Sequence, residues 1–263
     1  MTKNNLAIIV LNWNGADDVL ECISSLARQT LKPTIIVVDN HSHDDSVMRF
    51  EQYQTEHPSV DCIIIANNKN LGFAGGINTG LVYAREQGFK YIGVLNPDAI
   101  ADKKWCQALV DELSSQPKCG IATGILQRRD GKTLDTTGDF YTTWGLPGPR
   151  NRDEPVENAP SKPGEVFGAT GGGAIYRAAM FDDIDMFDED FFMYYEDVDL
   201  SFRAQLAGWK VRFTPKAIAY HKVGASSKKV PGLAVYNTFK NLPLVFIKNV
   251  PGKLFWYIGL RFF

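Results

Sequence analysis

Neither sign of charge dominates this chain. It has 28 lysines and arginines against 30 aspartates and glutamates, a net charge of −2, and the cations are scattered. A nucleic-acid binder needs a basic patch to neutralise phosphates, so that class of partner is excluded. Cysteine is sparse: Cys22, Cys62, Cys106 and Cys119 stand far apart with no C-x-x-C pair, as expected of reduced core thiols in the cytosol. No apolar run reaches the roughly 18 residues of a spanning helix. The first apolar segment, from Leu6, is too short for the core of a secretion signal. The expectation is a cytoplasmic protein, either soluble or peripheral on the inner face of the membrane. Two nucleotide motifs are also missing. Asn12-Trp13-Asn14-Gly15 stands where G-x-G-x-x-G would follow the first strand, and no G-x-x-x-x-G-K-[ST] occurs, which argues against a nicotinamide dehydrogenase and a P-loop enzyme.

Apolar residues are abundant, at 44% of 263, enough for a sizeable α/β core. Leu6 to Leu11 is a continuous apolar run, as expected of a parallel strand covered on both faces. Val19, Leu20, Ile23, Leu26 and Ala27 then recur at helical spacing behind two acids. Strands follow at Thr34–Val38, Cys62–Ala66 and Tyr91–Leu95, with a helix over 46–56 and a Gly-rich loop over 67–80 that runs into a helix ending near Gly88. This alternation predicts an open, Rossmann-like, mostly parallel central sheet flanked by helices, with ligands at the carboxyl ends of its strands. The Gly- and Pro-rich stretch from Asp130 to Glu165 reads as a long mobile loop.

Polar groups close three of those strands: Asn12 and Asn14, then Asp39, then Asn96 and Asp98. Each alone reads as readily as an Asx turn or a helix cap. Together on one rim they point to a ligand site. Glu196-Asp197-Val198-Asp199 sets three carboxylates behind Phe191-Phe192-Met193-Tyr194-Tyr195. Acids at a helix start satisfy the dipole, but an apolar surround also raises a carboxylate's pKa and suits it to act as a general base. His221 ends a short strand-like run. A lone histidine is usually structural, but a neutral imidazole can share a divalent ion with an acid such as Asp98.

These residues, with Val37-Val38-Asp39-Asn40-His41-Ser42, Asn70-Leu71-Gly72-Phe73-Ala74-Gly75-Gly76-Ile77-Asn78, Leu95-Asn96-Pro97-Asp98, Tyr195-Glu196-Asp197-Val198-Asp199-Leu200, Arg203, Ala207-Gly208-Trp209 and His221, resemble glycosyltransferase family 2 over about residues 5–227, and within it the bacterial rhamnosyltransferase-like branch. The resemblance implies a GT-A fold, an inverting mechanism, a nucleotide-sugar donor and Mg2+ or Mn2+. It implies that Asp39 holds the nucleotide, with Asn12, Asn14, Asn70, Gly72, Phe73, Asn78 and Asn96 along the donor. Asp98 matches the metal acid, His221 a position touching metal or diphosphate, and Asp197 the general base. Tyr195, Glu196 and Arg203 fall on the acceptor side or behind it. The usual D-x-D reads Asn96-Pro97-Asp98, one carboxylate short. The branch implies rhamnose from dTDP-rhamnose as the donor and a bacterial cell-surface glycan or polyprenyl-linked precursor as the acceptor. The alternatives are a catalytically silent glycan-binding protein and a sugar nucleotidyltransferase.

The transferase domain is expected over 1–230, with a C-terminal helical segment over 231–263. That segment mixes Leu, Phe, Trp and Tyr with Lys240, Lys248, Lys253 and Arg261, and Pro243 and Pro251 are expected to interrupt it. Two readings stand: an interfacial membrane segment, or a helix docked on the domain or on a second copy as a homodimer contact.

Overall fold

The computed structural model describes residues 5–222 and 231–262; the domain boundary expected at 230 lies outside them. Its first half is the predicted alternation: β1 (Leu6–Asn12), α1 (Ala16–Ala27), β2 (Thr34–Asp39), α2 (Ser46–Glu56), β3 (Cys62–Ala66), α3 (Gly72–Glu86) and β4 (Tyr91–Leu95). β1 pairs in parallel with both β2 and β4, and β2 with β3. Successive side chains of a strand point to opposite faces. Leu6, Ile8 and Val10 therefore enter a core under α1 with Val19, Ile23 and Leu26. Ala7 and Ile9 enter a second core under α3 with Ile77 and Leu81. Two covered faces are why the run from Leu6 is apolar throughout.

The second half carries β5 (Ala99–Ala101), α4 (Trp105–Ser115), β6 (Cys119–Arg128), β7 (Leu134–Thr136), β8 (Asp139–Tyr141), β9 (Pro147–Pro149), β10 (Gly164–Glu165), β11 (Gly173–Arg177), α5 (Met180–Ile184), α6 (Glu196–Leu206), β12 (Lys210–His221), α7 (Leu233–Asn249) and α8 (Gly252–Phe262). The sheet runs β10-β12-β6-β11-β4-β1-β2-β3, with β5 added to β12 and β7 to β6. β11 is antiparallel to both neighbours, and Gly173 opposes Leu95. The start of β11 thus abuts the end of β4. His221 opposes Ala99, and β7 folds back on the end of β6, with Leu134 opposite Gln127. Three distant segments converge on the carboxyl end of β4.

Several expectations need correction. The stretch from Asp130 to Glu165 is not one loop: β7, the β8–β9 hairpin, a 3₁₀ turn at Val156–Asn158 and β10 occupy it. Its short strands, two to three residues each, fall below the length at which alternation can be read. The Gly-rich loop becomes helix at Gly72, because its glycines let α3 press on the sheet; a Cβ at Gly80 would meet Ile9. Pro243 does not interrupt the C-terminal segment but lies inside α7, whereas Pro251 separates α7 from α8.

The β12–β6 register shifts between Phe213 and Ile218, around Pro215, as expected where proline must sit in a bulge. The bulge drives the Ala217 carbonyl against Gly124, where a Cβ would overlap it. Gly124→Ala should therefore lower stability by about 1–3 kcal/mol, seen as a lower urea midpoint; an unchanged midpoint would show that the bulge relaxes freely.

Candidate functional site

The rim at the ends of β1 and β2 is internally bonded. Asn12 Nδ2 donates to Asp39 Oδ1 (2.7 Å) and Ser42 Oγ (3.0 Å), and the Ser42 amide donates to Asp39 Oδ2 (3.0 Å). Asn14, in the left-handed region at φ 52°, accepts from the His43 amide at 2.7 Å. Asn40 carries the rim across to the α3 side. Its amide donates to Asn70 Oδ1 and the Gly72 carbonyl, both at 2.9 Å, and accepts from the Leu71 amide at 3.0 Å. Asn78 is buried and reaches sideways, donating to the Phe187 carbonyl (2.8 Å) and Glu189 Oε1 (3.0 Å). Asn70, Gly72 and Asn78 thus shape the wall of the rim through bonds within the protein.

At the end of β4 the structure brings Asp98 and His221 together. Nε2 of His221 lies 3.0 Å from Asp98 Oδ1 and 3.1 Å from Asn96 Nδ2, and Nδ1 lies 2.9 Å from Asp135 Oδ2. Burial alone would lower this histidine's pKa, but hydrogen bonds to Asp135 and Asp98 prevail and raise it to about 9. Asp135 was missed by sequence reading. It is buried on β7 and steadied by Arg152 at 3.0 Å, and its only sequence signal is a polar residue in a turn-rich stretch.

The donor set suits a hard divalent ion. Asp98 offers oxygen, and Asp135, by taking Nδ1–H, leaves Nε2 as the nitrogen turned toward Asp98. Asp135 sits on the far side of the ring, and among the described residues no group of three or more His, Cys, Asp or Glu side chains converges to hold a metal ion. Asp98 and His221 are therefore the two side chains that would hold such an ion from the protein.

The carboxylates of α6 follow a strained turn. Phe192, Tyr194 and Tyr195 have φ of 62°, 70° and 70°, which costs about 1–3 kcal/mol each for such residues. The buried Asn241 of α7 holds the turn, its Nδ2 lying 2.8–2.9 Å from the carbonyls of Phe191, Met193 and Tyr194. Asp197, half-buried, then accepts the Gly171 amide on Oδ2 and the Val198 amide on Oδ1, both at 2.8 Å. Burial raises its pKa, and these amides offset part of the rise. Glu196 is buried with Oε2 unpartnered, and burial followed by the nearby Asp197 pushes it well above the usual range. Asp139 of β8, also missed, is raised by burial and by Asp197 in the same way. Tyr195 packs with Phe191 and Val245. Phe191 is fully buried and belongs to the core. Arg203 is engaged by Asp199 (2.8 Å) and the carbonyls of Ile184 and Met186, tying α6 to the segment before it.

Gly171 and Gly172 join the two halves. A Cβ on Gly171 would stand 3.2 Å from the Phe73 ring and 3.5 Å from Asp197 Cβ, and one on Gly172 3.0 Å from Asn96 Nδ2. The Gly172 carbonyl accepts the Asn96 amide at 3.0 Å. Three consecutive glycines, Gly171 to Gly173, running into the start of β11 were the available signal.

The model of the family described as "Glycosyl transferase family 2" matches residues 7–185. An N-acetylglucosaminyl-diphospho-decaprenol L-rhamnosyltransferase of Mycobacterium tuberculosis is 24% identical over 249 residues, covering 86% of this chain and 78% of that one. Among solved structures, GalNAc-T7 with UDP, GalNAc and Mn2+ superposes with a TM-score of 0.69 at 12% identity, over 97% of this chain. This chain spans 54% of the GalNAc-T7 chain. A mannosyltransferase of Pyrobaculum calidifontis in complex with GDP-Man and Mn2+ gives 0.68 at 15% identity, over 98% of this chain and 68% of its own.

Two measurements test the geometry. The folded pKa of His221, about 9, exceeds the unfolded value of roughly 6.5. Its contribution is therefore whole below about pH 6.5 and lost as pH rises through 9. In EDTA, His221→Gln should remove up to roughly 3 kcal/mol of wild-type stability at pH 6 and far less at pH 10, read by urea unfolding; a pH-independent difference would refute the ion-pair assignment. Asn241→Ala should cost about 1–3 kcal/mol, since it leaves strained carbonyls unpaired, and a neutral effect in the same assay would mean the turn holds itself.

Proposed function

Because the chain belongs to glycosyltransferase family 2 and has the GT-A fold of the α/β class, we propose that it is an inverting, metal-dependent hexosyltransferase that moves rhamnose from dTDP-rhamnose to a hydroxyl of a cell-surface glycan precursor. The observation that carries the catalytic reading is the position of Asp197. It is a carboxylate of raised pKa, joined through Gly171 and Gly172 to Asn96 and so to the Asp98–His221 pair. The activity named for the Mycobacterium relative supports rhamnose as the sugar and a polyprenyl diphosphate-linked acceptor, and in this reading the reaction runs at the cytoplasmic face of a membrane.

In this reading the rim of Asn12, Asp39 and Ser42 receives the nucleotide, and Asn70 and Phe73 line its α3 side. When bound, a Mg2+ or Mn2+ ion held by Asp98 and His221 supplies neutralisation of the departing nucleoside diphosphate. Asp197 takes the proton of the acceptor hydroxyl as that oxygen bonds to the anomeric carbon and the carbon–oxygen bond to the diphosphate breaks. Attack on the face opposite the leaving group inverts the centre. The Gly171 and Val198 amides hold the Asp197 carboxylate in place.

The test is a panel of nucleotide sugars with acceptor extract, monitoring nucleoside diphosphate release with and without EDTA. dTDP-rhamnose should be consumed and EDTA should abolish release. Asp197→Asn should lose about 10²–10⁴-fold in kcat while donor affinity stays within about twofold. Turnover of a different sugar would overturn rhamnose alone, and near-normal kcat in the variant would overturn the base.

A further inference from the structure

Two elements far apart in sequence meet on the surface with apolar residues outward. α8 turns Phe255, Ile258 and Phe262 inward onto Phe246. The opposite side of a helix packed in this way is ordinarily polar, but here Trp256, Tyr257 and Leu260 are 76%, 53% and 84% exposed. Beside it stands the tip of the β8–β9 hairpin, where Trp144 and Leu146 are 58% and 46% exposed. The two are joined. The Arg261 guanidinium lies 4.2 Å from the Tyr257 ring and 5.7 Å from that of Trp144, and Gly145 backs onto Phe262 and Ile258. A contiguous exposed apolar face of this kind marks an interaction surface.

Charge selects the occupant. From Pro231 to Phe263 there are four cations and no acid, and from Phe140 to Pro149 no charged residue at all. Lys248 is taken up by Asp188 and Asp199 and Lys240 by the Asp190 carbonyl, which leaves Lys253 and Arg261, both on α8. A second copy presenting the same patch across a two-fold axis would set cation against cation. Anionic phospholipid offers the complement: phosphates for Lys253 and Arg261, and a headgroup layer in which tryptophan and tyrosine rings settle.

We propose that the hairpin tip and the outer face of α8 together form the surface by which this chain lies on an anionic bilayer. The contact is in-plane, since no helix among the described residues is long and apolar enough to cross a membrane. The proposal does not rest on the sugar-transfer reading. It has a geometric consequence for that reading all the same, because the hairpin whose tip would touch lipid carries Asp139, next to Asp197, at its base.

The test is co-sedimentation of the full chain with mixed phosphatidylglycerol–phosphatidylcholine vesicles and with pure phosphatidylcholine vesicles, alongside sedimentation equilibrium without lipid. The chain should bind the anionic vesicles, with a blue shift of tryptophan emission, and bind the neutral ones at least about tenfold more weakly. The double variant Trp144→Ser/Trp256→Ser should lose the emission shift and about tenfold or more of the binding, and Lys253→Glu/Arg261→Glu should lose the preference for anionic lipid. All four positions are at the surface, so circular dichroism and release of nucleoside diphosphate should be unchanged in both variants. Absence of wild-type binding to anionic vesicles, or binding unaltered in the tryptophan variant, would overturn the proposal. So would a lipid-free dimer that Trp256→Ser dissociates, which would assign the face to a second copy.

Discussion

Two backbone groups of consecutive glycines hold the candidate site together. The Gly171 amide is bonded to Asp197 at the start of α6, and the Gly172 carbonyl to the Asn96 amide at the end of β4. A Cβ at either position would stand only 3.2 Å from the Phe73 ring or 3.0 Å from Asn96 Nδ2, so the close approach favours glycine. The antiparallel course of β11 makes the approach possible. Gly173 opposes Leu95, so the chain must enter the strand at the point where β4 delivers Asn96 and Asp98. Without that insertion the rim of the parallel half and the carboxylates of α6 would be separate features.

The electrostatics divide in the same way. On the β4 side, negative charge from Asp98 and Asp135 is met by one imidazole with a carboxylate on each nitrogen, so the charge required there is positive whether it is a proton on His221 or an ion beside it. On the α6 side, burial pushes Glu196, Asp197 and Asp139 each toward its protonated form, and the nearby Asp197 adds to the rise of the other two. In the proposed reaction the first side would receive the departing diphosphate and the second a proton, the division of labour that displacement at a sugar carbon requires.

The C-terminal helices are part of this arrangement. Asn241 satisfies the carbonyls of a turn with three aromatic residues at positive φ, and Asn249 bonds Asp199 at 2.8 Å, so α7 braces both the turn and the helix that present Asp197. α8 is packed onto α7 by the rings of Phe246, Phe255 and Phe262. An amphipathic segment that reads as an appendage therefore buttresses the site on its inner face and has an apolar outer face to spare.

By itself the sequence determined the strand–helix alternation, the buried strands of the parallel half, and the polar strand ends at Asn12, Asp39 and Asp98, because these follow from short-range periodicity and turn chemistry. The acidic start of α6 behind an aromatic run was legible for the same reason. Tertiary structure alone decided that His221 meets Asn96, 125 residues away, and Asp135, 86 residues away. It also decided that three-residue strands order the Gly- and Pro-rich stretch, and that Asn241 braces the turn before α6. These contacts depend on sheet register and on packing between elements, and neither leaves a local pattern. A three-residue strand is too short to show a period, and the partner of a buried ion pair is set by which strands the chain has placed side by side.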